Sequence, residues 1–333
     1  MFSWIGSPLQ RMCINNRNLL VKRDDLLGVD GLRGNKVRKL YYYWNQPSSF
    51  WKNKVLVSYG GNQSNAMLAL STLASYKQVP FVYFVKEKAP FYSGNWKHSI
   101  EQGMTALSLS NNFDTVSSMD NNISLEDLLR NMDVKVLDSS VLNVKECNVE
   151  VVKQGGAEKY AEEGINILAK ELIDQTNNIE NEDTYYIVLP SGTGTTALYL
   201  AKFISKYSSK IKKVIPIPCV GSNIVLQNQM KELEPNLHEI ESLYFLPHEN
   251  NLHHPFASIR LSDYKMWESL KNNGLETDLI YAPRTWRTIE KNSDLFNTFG
   301  NQMIYIHTGG IEGNLSQLDR YVKKYTTDNI ITI

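Results

Sequence analysis

Cysteine is scarce in this sequence: three residues, Cys13, Cys147 and Cys219, among 333, with no C-x-x-C spacing. A disulfide framework or a cysteine-based zinc site is thereby set aside, and a reducing compartment is expected. Net charge is also missing, because 35 Lys and Arg offset 35 Asp and Glu. There is thus no global electrostatic case for a nucleic-acid or membrane partner. Long apolar runs are absent. The longest candidates, 185–189 and 214–220, fall far short of the about 20 residues that a membrane span needs. The opening Met1-Phe2-Ser3-Trp4-Ile5-Gly6 has neither a basic segment nor a continuous apolar one, so no cleaved leader is expected and the cytoplasm is the predicted location. No repeat of solenoid period occurs. A hydrophobic fraction of 42% with 21% charged residues excludes wholesale disorder.

Alternating strand and helix patterns are present throughout. Strands are expected at 55–59, 80–85, 106–109, 185–189, 214–220 and 303–307. Helices are expected at 65–76, 96–103, 158–175, 196–207 and 312–325. This alternation predicts an α/β protein with open, mostly parallel sheets covered by helices. The polar stretches 111–122, 177–183 and 248–255 read as loops. None is long enough to tether separate domains, so any boundary is a crossing of the chain between two sheets.

Four segments carry candidate chemistry. The glycine-rich run Gly28 to Lys36 is not a P-loop, since Asn35 separates Gly34 from Lys36 and Val37 stands where a magnesium-binding hydroxyl is required. Ser191-Gly192-Thr193-Gly194-Thr195-Thr196-Ala197 lies between a strand and a helix and half-matches a dinucleotide fingerprint. No acid for a ribose follows before Glu232. Its glycines, helix N-terminus and three threonines suit a terminal phosphate monoester; the plainer alternative is a glycine turn. Gly60-Gly61-Asn62-Gln63-Ser64-Asn65 precedes another helix, where Ser64 is either a helix cap or part of a carboxylate cradle. Lys36 gains interest from the other two. A lysine amine, a phosphate site and a carboxylate site together are the inventory of a pyridoxal phosphate enzyme.

On these residues the chain resembles the 1-aminocyclopropane-1-carboxylate deaminase and D-cysteine desulfhydrase family, tryptophan synthase β-like enzymes of pyridoxal phosphate fold type II. Lys22-Arg23-Asp24-Asp25 with Gly34 to Leu40 is similar to the lysine motif. Gly60 to Asn65 is similar to the substrate loop, Gly192 to Thr196 to the phosphate loop, and His307-Thr308-Gly309-Gly310 to the last strand-end motif. Gly94-Asn95, Gln154-Gly155-Gly156 and 274–281 add weaker matches. The resemblance implies two open twisted sheets, with a smaller domain at 40–148 inserted into a larger one formed by 1–39 and 149–333, and a homodimer acting on a small amino acid.

The resemblance also implies roles. Lys36 would carry the cofactor covalently and, once released by the substrate amine, act as the base at Cα. Asn65 would hydrogen-bond the cofactor's 3′-oxygen. Gln63, Ser64 and Asn65 would hold the substrate carboxylate. Gly192, Thr193, Gly194, Thr195 and Thr196 would hold the phosphate, Thr308 would approach the pyridine nitrogen, and Tyr281 stands where the family has a catalytic tyrosine. Departures are specific. Ala282 replaces the carboxylate of the cyclopropane deaminases, and no tyrosine occurs near His254-Pro255-Phe256. Arg284, Trp286 and Arg287 stand where the deaminases have small residues. These differences lean toward α,β-elimination from a substrate such as D-cysteine, giving a 2-oxo acid and ammonia. Cyclopropane ring opening, and a non-catalytic cofactor-binding protein, are the alternatives. No metal is expected, because His248, His253 and His254 lack a third ligand. His307 reads as a packed residue, the three cysteines as buried hydrophobes, and Tyr41 to Trp44 as a helix face packing between domains.

Overall fold

The computed structural model describes residues 6–109, 116, 123–130, 132, 134–138, 147–180, 183–299 and 302–325. The loop expected at 111–122 lies almost wholly outside them, as do the first five residues.

Two five-stranded sheets form the framework. In the first, β1 (Leu9–Ile14) and β2 (Arg17–Lys22) make an antiparallel hairpin, and β2 continues in parallel to β12 (Met303–Ile306), β10 (Tyr185–Ser191) and β11 (Ile211–Pro218). In the second, β9 (Asn148–Val151), β5 (Lys54–Tyr59), β6 (Phe81–Val85) and β7 (Met104–Leu109) are parallel, and β8 (Val134–Asp138) closes the edge antiparallel to β7. A short hairpin, β3 (Gly28–Val29) with β4 (Leu32–Arg33), precedes the lysine motif. The central strands are apolar because helices cover both faces: every residue of β6, Phe-Val-Tyr-Phe-Val, is buried.

The second sheet includes β9, which carries it three residues past the boundary expected after 148. Residues before position 40 also join its core, since Leu27, Leu32 and Val37 cluster with Leu56, Met67 and Leu70. Tyr43 and Trp44 belong to the same cluster, and Tyr42 stacks on Tyr160 with ring centroids 4.1 Å apart. The helix expected from 158 begins at Ala161 instead. Glu158 is engaged before it, accepting from Lys153 N at 2.9 Å and from the Tyr43 hydroxyl at 2.7 Å. Of the cysteines, Cys219 is buried, Cys147 partly buried and Cys13 exposed, because Cys13 lies on an outer edge strand. No helix among the described residues is long and apolar enough to cross a membrane.

Parallel pairing aligns the carboxyl ends of β2, β12, β10 and β11 along one edge. The segments leaving that edge are 23–34, 307–313, 192–194 and 219–222. Those of β5 and β9 likewise emit 60–64 and 152–156. Ligand sites of open α/β sheets are built at such edges.

Candidate active site

Lys36 lies on a five-residue helix, Asn35–Lys39, that begins where Gly34 turns the chain with φ +63°. Gly34 is required there. A Cβ at this position would stand 2.0 Å from the Thr308 carbonyl oxygen, which accepts from Asn35 N at 3.0 Å. The lysine motif is thereby fastened to the last strand-end motif. A buried ion network holds the helix from behind. Arg38 pairs with Asp24 at 3.0 Å and with Glu171 at 2.7 Å, and Lys22 pairs with Glu171 at 2.7 Å. Burial pushes the Asp24 carboxyl up, but Arg38 and Lys22 more than offset it, and it titrates below its ordinary value.

Lys36 itself is partly buried and donates from Nζ to Asn35 Oδ1 at 3.0 Å. Desolvation lowers its pKa to about 8, against an opposing pull from Asp278. Asp278 is buried and accepts from the amides of Ile280 and Ala282, at 2.9 and 3.3 Å, so it caps the helix Tyr281–Lys291. Burial pushes its carboxyl up.

Three residues after Lys36, Lys39 turns into the threonine loop. Its Nζ donates to Thr193 Oγ1 at 3.1 Å and to the Gly155 carbonyl at 3.0 Å, and among the described residues no carboxylate pairs with it. Burial, and then the charge of Lys36, push the Lys39 ammonium well below its ordinary value. Thr193 and Thr195 share a hydrogen bond of 2.9 Å, and Thr196 Oγ1 is buried without a partner. The helix Thr195–Tyr207 starts at Gly194 with no side-chain cap, which leaves its first amides without a side-chain partner. A buried cation, an orphaned hydroxyl and an uncapped helix N-terminus are a fit for a phosphate.

The remaining candidates converge on this edge unequally. Asn65 reaches Gly310, whose φ is +96° and whose added Cβ would stand 2.4 Å from Asn65 Nδ2. Tyr281 lies against Gly192, its hydroxyl 3.5 Å from where a Cβ would be, and meets Phe256 edge to face at 5.6 Å. Burial raises its phenol pKa, keeping the hydroxyl protonated. Ser64 caps its helix, accepting from Ala66 N at 3.1 Å and Met67 N at 3.4 Å. The Gln63 amide turns aside, donating to Ser93 O at 3.1 Å and accepting from Trp96 N at 3.4 Å. Thr308 is partly buried. His307 is packed, with Nδ1 accepting from Gly309 N at 3.2 Å and Nε2 facing Glu276 O at 2.7 Å, which defines the neutral Nε2–H tautomer.

The chain is similar, with 24% identity over 316 residues and 92% of each chain covered, to a protein of Thermotoga maritima named "Putative 1-aminocyclopropane-1-carboxylate deaminase". Its structure matches that of an "ACC deaminase homologue" with a TM-score of 0.70 at 20% identity, covering 97% of this chain and 94% of the other. It also matches a hydrogen sulfide-producing enzyme from Fusobacterium nucleatum with a TM-score of 0.61 at 12% identity, covering 94% and 98%. The chain shares their fold. No protein-family model matches it. The resemblance drawn from the four motifs thus extends over the whole architecture.

Three residues have structural roles here that the sequence reading does not assign. Lys39 has a signal in the sequence, since an i,i+3 spacing on a helix puts its side chain next to that of Lys36. Asp278, three residues before Tyr281, carries the signature of a helix cap. Arg284 was noted as a departure. In the structure it is buried and donates to the carbonyls of Cys219, Gly221, Leu252 and His254, at 3.3, 3.5, 2.6 and 3.0 Å. Among the described residues no group of three His, Cys, Asp or Glu side chains is placed to hold a metal.

Proposed function

We propose that the protein is a pyridoxal phosphate-dependent lyase that deaminates a small amino acid, by α,β-elimination from a substrate of the D-cysteine type. The observation that carries this reading is the pair of lysines on one short helix. Lys36 has a pKa lowered to about 8, and Lys39 is buried against the threonine loop at a helix N-terminus. One amine would meet the cofactor aldehyde while the other would meet its phosphate. When bound, the cofactor supplies an electron sink for charge developing at the substrate Cα.

The chain's own residues do the rest. Lys39, Thr193, Thr195 and Thr196 with the first amides of the helix would hold the phosphate. The Asn65 amide would donate to the ring oxygen, and Thr308 would face the ring nitrogen. The Ser64 hydroxyl and the backbone amides of 60–64 bind the substrate carboxylate and so orient the Cα–H bond. Lys36 Nζ, neutral in a large fraction near pH 8, takes the Cα proton. The Cβ–S bond then breaks and the sulfur leaves as hydrosulfide, with the Tyr281 hydroxyl, kept protonated by burial, donating a hydrogen bond to it and solvent supplying the proton of hydrogen sulfide. Water completes the balance: D-cysteine and water yield pyruvate, ammonia and hydrogen sulfide.

A second reading, cyclopropane ring opening, is favoured by the names of two of the similar proteins. Against it, Ala282 is buried and apolar where that reaction's pattern has a carboxylate. The test is a visible spectrum of purified protein with and without added pyridoxal phosphate, beside Lys36→Ala, followed by 2-oxo acid assays on D-cysteine, L-cysteine and the cyclopropane substrate. A visible band lost in the variant and faster turnover of D-cysteine support elimination. No band in the wild type refutes the reading, and faster ring opening replaces it with the second.

A further inference from the structure

Asn95 is fully buried at the start of the helix Gly94–Glu101, and none of the chemistry above uses it. Its Nδ2 donates twice, to the Gln63 backbone carbonyl at 3.0 Å and to Asn65 Oδ1 at 2.7 Å. The first bond settles the second. A backbone carbonyl only accepts, so the Asn95 atom facing Gln63 is the nitrogen, and the Asn65 atom on the same nitrogen is the oxygen. The Asn65 amide therefore has one orientation: oxygen toward Asn95, nitrogen toward Gly310, where the strand-end loops of the two sheets meet. No described residue accepts from that nitrogen. Asn95 Oδ1 is itself buried without a partner, so the arrangement leaves one polar atom unsatisfied while fixing the neighbouring amide.

We propose that Asn95 is a positioning residue that locks the Asn65 amide with its N–H donors facing the ligand, so that the site selects an anionic oxygen there. Resting on the functional reading above, this oxygen is the cofactor's ring phenolate. A carbonyl presented in the same place would repel it. Gly310 completes the device, because a Cβ there would collide with the amide nitrogen.

The test is spectroscopic. Cofactor-loaded wild type, Asn95→Asp and Asn95→Ala are titrated with pH, following the visible band whose midpoint reports ionisation of the bound cofactor. An aspartate at 95 can only accept, which turns the Asn65 amide around. Its band midpoint is expected to rise by about one unit, the size of one charge-assisted hydrogen bond lost. Asn95→Ala, which leaves the amide free to turn, rises by less, and it carries the test if the aspartate variant does not fold. Both substitutions are repeated in an Asn65→Ala background, where they are expected to have no further effect. An unchanged midpoint in either single variant overturns the proposal. So does an aspartate effect of equal size in the Asn65→Ala background, which is direct charge repulsion. A wild type without a visible band fails differently: it removes the functional reading and this inference together.

Discussion

Burial of Lys36 has consequences that can be measured before any substrate is known. With a pKa of about 8, its amine is about one-tenth neutral at pH 7, against about one part in 2,500 for an ordinary lysine side chain. Attack on an aldehyde needs the neutral amine, so on the proposed function capture of pyridoxal phosphate by cofactor-free protein is expected to be faster at pH 7 by about 250-fold than an unperturbed lysine allows. Stopped-flow absorbance between pH 6 and 10 is expected to show a rate that climbs to a break near pH 8 and then levels. Stability follows from the same shift. Between pH 8 and the unfolded lysine's ordinary value, the unfolded chain holds more protons than the folded one. Stability attributable to Lys36 therefore rises with pH across that window, by up to about 3 kcal/mol. Below pH 8 the full penalty for burying the charge remains. Cofactor-free Lys36→Met is thus expected to be more stable than wild type by up to about 3 kcal/mol at pH 7 in urea unfolding, an advantage that fades by about pH 10.5. A capture rate still rising at pH 10, or a variant no more stable than wild type at pH 7, would refute the account.

Other perturbations have equally direct readouts. Gly34→Ala places a Cβ into the Thr308 carbonyl at a backbone with φ +63°; a loss of at least about 2 kcal/mol in urea unfolding is expected, with slower cofactor uptake. Lys39→Met should retain the capture-rate break of Lys36 while weakening cofactor affinity by about tenfold or more, as read by equilibrium titration, since a charge-assisted phosphate contact is removed. It should also abolish competition by inorganic phosphate. Arg284→Met leaves four carbonyls without their donor; a destabilisation of about 3 kcal/mol is expected, with hydrogen exchange rising first at 252–256.

What could be read from the sequence was whatever is local. The threonine loop between a strand and a helix, and the glycine pair before Asn65, announce themselves because a β run, a turn and a helix follow within a dozen residues. β1 escaped because it is an edge strand, with Gln10 and Arg11 exposed, and so lacks the apolar run that marks β6. β9 escaped because it has four residues and its partner β5 lies far back along the chain. The start of the helix at Ala161 is not legible in the sequence, because helix propensity cannot show that Glu158 is committed to Lys153 and Tyr43. The same limit hid the role of Lys39, whose partners Gly155 and Thr193 are 116 and 154 residues away.

The electrostatics of the site work against bringing the two lysines together in the empty protein. Lys36 and Lys39 stand near enough for the charge of one to depress the other's pKa. Lys39 is left without a carboxylate among the described residues, and Asp278 is bound to the start of its own helix. A folded protein without its ligand therefore carries an uncompensated desolvation penalty at two lysines, which a phosphate dianion would relieve at Lys39 and loss of a proton relieves at Lys36. Ligand binding to such a site stabilises the fold by mass action, and the gain is largest where the empty site is most strained. Substitutions that neutralise either lysine should accordingly move two quantities in opposite directions, raising the stability of the empty protein and lowering its affinity for the cofactor. A lysine that merely packed against the threonine loop would lower both.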